Sequence, residues 1–224
     1  MFTFKMLTGQ STEHLSNLYG DHRLHNQTIA SFIELQYVAK KAGFNLQPVS
    51  TFRHFSRQQR IWNDKFTGSR TVLDINGQPL DITTMNNEKL CKAILVWSAM
   101  PGASRHHWGT EIDVYDPDLL PKGQKLRLEL WEYLKGGYQY PLQQWLACNM
   151  IQFGFYCPFG HQQQDIAIEP WHISYKPISS LLENQLTEEA LKQSWQGQYI
   201  AGSQWLIHNI KEIFFRFIIK NYNI

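Results

Sequence analysis

Two short segments of the chain concentrate side chains that bind metals or move protons. The first is Ser104-Arg105-His106-His107-Trp108-Gly109-Thr110-Glu111-Ile112-Asp113, and the second is Glu169-Pro170-Trp171-His172. His106 falls in a loop and Asp113 in the strand that follows, with Gly109 between them to let the backbone turn tightly and bring both side chains to one point. Two neutral imidazoles and one carboxylate fill three positions of a tetrahedral zinc and leave the fourth open, as catalytic sites do. Zinc in such a site lowers the pKa of water toward ~7, and a nearby carboxylate must still take the proton. Glu169 suits that task. With His172 in a strand, Trp171 points to the opposite face and Pro170 interrupts the ladder, so the bend brings Glu169 round to the metal side. Taken singly, each segment also reads as something plainer, a solvated His-His loop or an ordinary turn.

Read in order, Pro101-Gly102-x-Ser104-x-His106-x-x-Gly109-x-x-x-Asp113 followed by Glu169-Pro170-Trp171-His172 resembles the VanY-type D-alanyl-D-alanine carboxypeptidases. That family belongs to the wider group of lysostaphin-type peptidases and the sonic hedgehog zinc domain. Ser50-Thr51-Phe52-Arg53, with Gln58 downstream, is similar to the family's Ser-Gly-Tyr-Arg-Ser segment and its following Gln, and the resemblance spans residues 28–176. It implies that His106, Asp113 and His172 hold zinc, and that Glu169 activates water and then protonates the leaving amine. Arg53 would bind the substrate carbonyl or terminal carboxylate and stabilise the oxyanion, work that suits a planar, permanently charged donor fork. Ser104 would orient the metal site or the substrate, and Gln58 would touch the substrate or support Arg53. Arg53, Gln58, Ser104 and Trp171 make up the expected substrate contacts.

The implied reaction removes the C-terminal D-alanine from a peptidoglycan stem peptide or muropeptide. D,D-enzymes of the family act on pentapeptides and L,D-enzymes on tetrapeptides. Two other readings are a D-Ala-D-Ala dipeptidase or phage-like endopeptidase, and a zinc-bearing binding module like the hedgehog domain. The intact Glu169 and Arg53 argue against the module. Glu111 stands where the family has Ala, and period-two alternation puts it on the strand face of Asp113. There it pairs with Arg105, orients a ligand imidazole, meets a substrate ammonium such as that of diaminopimelate, or bends away to solvent. Thr51, Phe52, His54 and Ile173-Ser174-Tyr175 also depart from the family pattern. His107, Trp108 and His161 are expected to line the cleft without ligating.

The elements around these residues alternate. Helical spacing with a basic last turn runs through 28–43, with Ile29, Phe32, Ile33 and Tyr37 apolar, and a strand follows at 46–52. Ser56 is expected to cap a helix bearing Ile61, Trp62 and Phe66. Asn76-Gly77 predicts a hairpin over 71–82. A helix is expected over 87–98, a loop over 100–110, a strand at 111–115, a helix over 141–154 and a strand within 168–175. This pattern predicts an α+β fold with a small, mostly antiparallel sheet wrapped by helices, similar to the hedgehog and D-Ala-D-Ala-peptidase folds. Residues 1–180 would form the zinc carboxypeptidase domain. Residues 181–224 would form a helical extension, one helix starting after Thr187 and another over 203–224. Its face of Ile210, Ile213, Phe214, Phe217 and Ile218 would pack on the core, with a homodimer contact as the second reading and a membrane-surface helix as the third.

Bulk composition excludes several classes. A net charge of +2 with scattered Lys and Arg gives no footprint for nucleic acid. Hydrophobic content of 43% with 18% charged residues is that of an ordinary globular chain. No run approaches the ~18 apolar residues of a membrane span. Cys91, Cys148 and Cys157 are odd in number and lack CxxC spacing, which points to reduced thiols. The N-terminus shows no charged-then-apolar leader, so the expected location is cytoplasmic, or periplasmic if a leader has been removed. That location favours L,D-cleavage of recycled tetrapeptides.

Overall fold

The computed structural model describes residues 2–160 and 165–219. A short helix α1 (Phe4–Leu7) precedes a hairpin of β1 (Ser16–Tyr19) and β2 (His22–Leu24). The central sheet has four antiparallel strands in the order β3-β4-β6-β5. They are β3 (Gln47–Ser50), β4 (Glu111–Tyr115), β5 (Phe155–Tyr156) and β6 (His172–Tyr175). Around it lie α2 (Asn26–Lys41), α3 (Phe55–Phe66), α4 (Asn87–Leu95), α5 (Leu130–Tyr133) and α6 (Tyr140–Asn149). The chain then runs through α7 (Lys176–Glu183), α8 (Glu188–Ser194), α9 (Ser203–His208) and α10 (Ile210–Ile213) into a π-helical turn, Phe214–Ile219. This is the α+β class expected. Among the described residues no helix is long and apolar enough to cross a membrane.

Alternation along β4 and β6 divides the sheet into two faces. Ile112, Val114 and Ile173 pack with Phe32, Leu35, Leu142 and Leu146 from α2 and α6. The intervening residues Glu111, Asp113, His172 and Ser174 are also buried, on the other side. Register carries the placement further. Asp113 sits directly opposite His172 on one neighbour and opposite Ser50 on the other, so three strands set their polar side chains in one row.

A second core lies between α3, α4 and the C-terminal helices. Trp62, Cys91, Ile94, Met100 and Trp108 pack with Leu182, Leu191, Trp195, Leu206, Ile210, Ile213 and Ile218. Each fully buried aliphatic side chain contributes about 1.5–3 kcal/mol of transfer free energy. On the apolar face of the tail, Ile210, Ile213, Phe214 and Ile218 are buried against the chain's own core.

Several local expectations need correction. Helix α2 buries Thr28, Phe32, Leu35 and Ala39, while Ile33 and Tyr37 are exposed and Lys41 lies over the Tyr37 ring. The N-cap of α3 is His54, not Ser56, because the His54 ring nitrogen accepts the Ser56 amide at 3.2 Å. The 71–82 hairpin shrinks to one bridge, Leu73 with Pro79: Pro79 has no N–H to continue a ladder, and the Asp74 carboxylate takes the Asn76 and Gln78 amides instead. Helix α4 ends at Leu95, short of Ser98, and the 100–110 loop contains a 3-10 turn over Arg105–Trp108. The helix expected over 203–224 breaks at Asn209, whose amide donates to the Trp205 carbonyl; its last residues, 220–224, lie outside the described residues.

Candidate metal centre and active site

His106 rides on the 3-10 turn, which Gly109 closes at φ 71, and a side chain at Gly109 would meet Leu15 and the His25 backbone. The His106 ring donates from Nδ1 to the Thr51 carbonyl at 2.7 Å, which turns Nε2 toward Asp113 Oδ2 at 3.4 Å. On the adjacent strand, His172 Nδ1 lies 3.1 Å from Asp113 Oδ1 and its Nε2 donates to Glu111 Oε2 at 2.7 Å. One donor atom from each of His106, Asp113 and His172 falls within a 4.8 Å cluster, and all three residues are buried. Each imidazole has its far nitrogen engaged and its near nitrogen aimed at a common point. Two nitrogens and one carboxylate oxygen so arranged fit zinc.

The charges are consistent with that role. Burial alone would raise the Asp113 carboxyl, but the two imidazoles hold it far below the usual carboxylate range. Burial pulls His106 down and keeps it neutral. Burial also pulls on His172, but hydrogen bonds to Asp113 and Glu111 outweigh it and lift the ring to about 9 in the metal-free protein. Glu169 arrives from the turn before β6, closed by the His172 amide on the Glu169 carbonyl at 3.1 Å, and places Oε2 3.7 Å from His172 Nδ1. Burial pushes its pKa to about 7, with Asp113 adding to the rise and His172, Arg53 and Lys65 opposing it. A carboxyl poised near neutral pH both accepts and returns a proton efficiently.

Arg53 lines the same cleft, a cavity of about 1010 Å³ that also exposes His106, Asp113, Glu169 and His172. Its Nη1 donates to Gln58 Oε1 at 2.9 Å, its amide donates to the His106 carbonyl, and its buried Nε has no hydrogen-bond partner among the described residues. Gln58 is fully buried between Arg53 and the Ala99 carbonyl, so it supports Arg53 rather than lining the cleft. Ser104 lies at the cleft wall just before the 3-10 turn. Trp171 is mostly buried there, stacked on Trp97 and tilted against Tyr133, which makes it wall rather than open contact surface.

His107 and Trp108 do not line the cleft as expected. His107 donates to the Arg53 carbonyl at 2.6 Å and accepts the Gly102 amide, and Trp108 donates to the Leu7 carbonyl. Both hold loops together. His161 lies outside the described residues. Glu111 neither reaches the cleft nor bends to solvent: it is fully buried and holds both His172 and Arg105.

Lys65 was not singled out by sequence. Its Nζ donates to Ser98 Oγ at 2.8 Å in the cleft wall, and burial, then Arg70, lowers its pKa to about 8. The signal was present: Lys65 follows Gln58 and Trp62 at helical spacing, so it falls on the inward face of α3.

A His-Asp-His cluster, a carboxyl held near neutral pKa and a buried guanidinium all open on one cleft, an arrangement that fits a single zinc ion. The chain belongs to the VanY D-alanyl-D-alanine carboxypeptidase family, which it matches over residues 21–178. The enzyme class and cofactor expected from the sequence, a metallo-carboxypeptidase using zinc, are those of this family. An uncharacterised protein of Haemophilus influenzae is 50% identical over 119 residues, covering 52% of this chain and 91% of that protein. Among solved structures, VanYB in complex with D-alanine-D-alanine superposes with a TM-score of 0.54 at 19% identity, covering 86% of this chain and 87% of that one. A mutant of the vancomycin-resistance D,D-pentapeptidase VanY in complex with Zn(II) gives 0.51 at 20% identity, covering 88% and 92%. Both share the fold described above.

Proposed function

We propose that this chain removes the C-terminal D-alanine from peptidoglycan stem peptides, with His106, Asp113 and His172 as zinc ligands. The observation that carries the reading is the convergence of these three donors beside Glu169 and Arg53 in one cleft. Zinc, when bound, supplies the Lewis acidity that acidifies water and polarises the scissile carbonyl. Glu169 takes the proton of the attacking water on its carboxylate and returns it to the leaving amine nitrogen. Arg53 donates to the oxygen that gains negative charge as the carbonyl carbon becomes tetrahedral. Lys65 is a second buried cation in the cleft and meets the terminal carboxylate, which frees Arg53 from doing both jobs.

Within this reaction we favour the L,D-cleavage of tetrapeptides. Diaminopimelate carries an ammonium and a carboxylate of its own, and the cleft is large and bordered by Arg70, Arg127 and Glu129. A D-alanine at that position needs only room for a methyl group. Intracellular action on recycled peptides is supported by Cys148, an exposed free thiol suited to a reducing compartment.

Incubating the protein with defined tri-, tetra- and pentapeptide muropeptides, with and without chelator, tests both levels by mass spectrometry. Loss of one D-alanine from the tetrapeptide, abolished by chelator and restored by zinc, is the expected result. An intact tetrapeptide beside a trimmed pentapeptide would replace the L,D reading with the D,D one. Cleavage of none of the three peptides would overturn the function.

A further inference from the structure

Behind His172 lies a buried chain of alternating charges, of which Arg105 also borders the cleft. Glu111 is fully buried and uses both carboxylate oxygens. Its Oε2 accepts from His172 Nε2 at 2.7 Å, while Oε1 accepts from Ser174 Oγ at 2.7 Å, Thr110 Oγ1 at 2.9 Å and Arg105 Nη2 at 3.2 Å. Arg105 donates onward to Glu183 Oε1 at 2.6 Å, to the Tyr156 hydroxyl at 2.9 Å and to Ser174 Oγ at 2.8 Å. Five elements contribute: the 3-10 turn that carries His106, then β4, β5, β6 and α7.

Such a network is a poor way to stabilise a core. Packing apolar residues in place of a buried ion pair is often neutral or favourable, whereas removing one partner is strongly unfavourable. The contrast with His106 shows what Glu111 adds. The far nitrogen of His106 donates to a neutral backbone carbonyl, and that of His172 donates to a carboxylate. A carboxylate acceptor fixes which imidazole nitrogen keeps its hydrogen, locks the ring plane, and makes the other nitrogen a stronger electron donor to a metal.

We propose that Glu111 is a positioning residue for the metal centre: it holds His172 as the Nε2–H form with Nδ1 presented beside Asp113 and His106, and Arg105, braced by Glu183, holds Glu111 in place. The inference rests on the metal-binding reading above and adds a residue that the motif match does not assign. It acts through His172 and touches neither substrate nor metal.

The test is zinc affinity, measured by competition with a chromophoric chelator on folded protein, for wild type, Glu111→Gln and Glu111→Ala. Gln keeps an acceptor of the same size without the charge, so it remains informative should Ala fail to fold. Loss of such partners typically weakens metal binding by about 10–100-fold, and Glu111→Gln is expected in that range. In ¹⁵N-histidine-labelled, zinc-loaded wild type, the His172 Nε2–H proton should resonate far downfield, and it should move upfield in Glu111→Gln. A purely structural Glu111 would lower Tm but leave zinc affinity within twofold of wild type and the proton unmoved, which overturns the proposal. Wild-type protein that binds no zinc would instead overturn the metal-binding reading beneath it.

Discussion

The two halves of the centre are carried in different ways. Asp113 and His172 sit opposite each other on paired strands, and Glu169 enters from the turn before the second of them. His106 and Arg53 sit on loops, clasped to each other by the Arg53 amide on the His106 carbonyl and by His107 on the Arg53 carbonyl. Those loops lean on segments outside residues 21–178. The indole of Trp195, the C-cap of α8, donates to the Pro101 carbonyl at 2.7 Å, Trp108 donates to Leu7, and the Phe55 amide donates to Gly9. The strand half is thus internally determined, while the loop half is completed by the chain's two ends.

The sharpest way to break this comparison is from the strand side. Asp113 touches both imidazoles, so Asp113→Ala should abolish stoichiometric zinc and activity together, read by metal analysis and peptide cleavage. Glu169→Gln should keep zinc while kcat falls by about 10²–10⁴-fold, the usual contribution of a positioned acid–base group. From the loop side, Arg53→Lys retains charge but loses the fork, and kcat should fall by about 10²–10³-fold, the range for losing one oxyanion donor. Trp195→Phe removes the indole N–H, leaves the Pro101 carbonyl unsatisfied and trims a buried ring. It should cost about 1–3 kcal/mol in urea denaturation. A variant as stable as wild type would show that the loop does not lean on α8.

The smallest effect is a difference in acid sensitivity of the metal-free protein. On the loop side, burial lowers His14 to about 4 and His107 to about 3, from an ordinary value of 6.5. The unfolded chain binds protons there that the native state refuses, so this stability is complete above pH 6.5 and declines as pH falls toward those values. On the strand side, burial would raise Glu111, but Arg105 and His172 bring it down to about 2 from 4.5, so its contribution persists until pH falls below 4.5. Between pH 6.5 and 4.5, hydrogen exchange should therefore quicken at the Arg53 and Phe55 amides before it quickens at Val114. Equal loss of protection in both halves would erase the distinction.

The strand half was also the more legible in sequence. Alternation in Glu111-Ile112-Asp113-Val114 fixes two faces by itself, and Glu-Pro-Trp-His places a carboxylate and an imidazole on either side of a bend. The loop half depends on contacts between distant residues that no local pattern encodes, such as Pro101 with Trp195 or Lys65 with Ser98. His107 looked like a cleft residue because its neighbour is one, yet on a 3-10 turn adjacent side chains diverge, and it points into the packing around Gly102. The hairpin predicted at Asn76-Gly77 stops at one bridge for a local reason, since Pro79 has no amide to donate.

The row formed by Ser50, Asp113 and His172 has one more consequence. Between the last two the polypeptide passes through α5, α6 and β5 before returning to lie beside its own β4. Strand pairing, rather than the length of that excursion, sets the distance between the two side chains. Insertions and deletions in the excursion can accordingly accumulate during evolution and reshape the mouth of the cleft without disturbing the paired side chains at its floor.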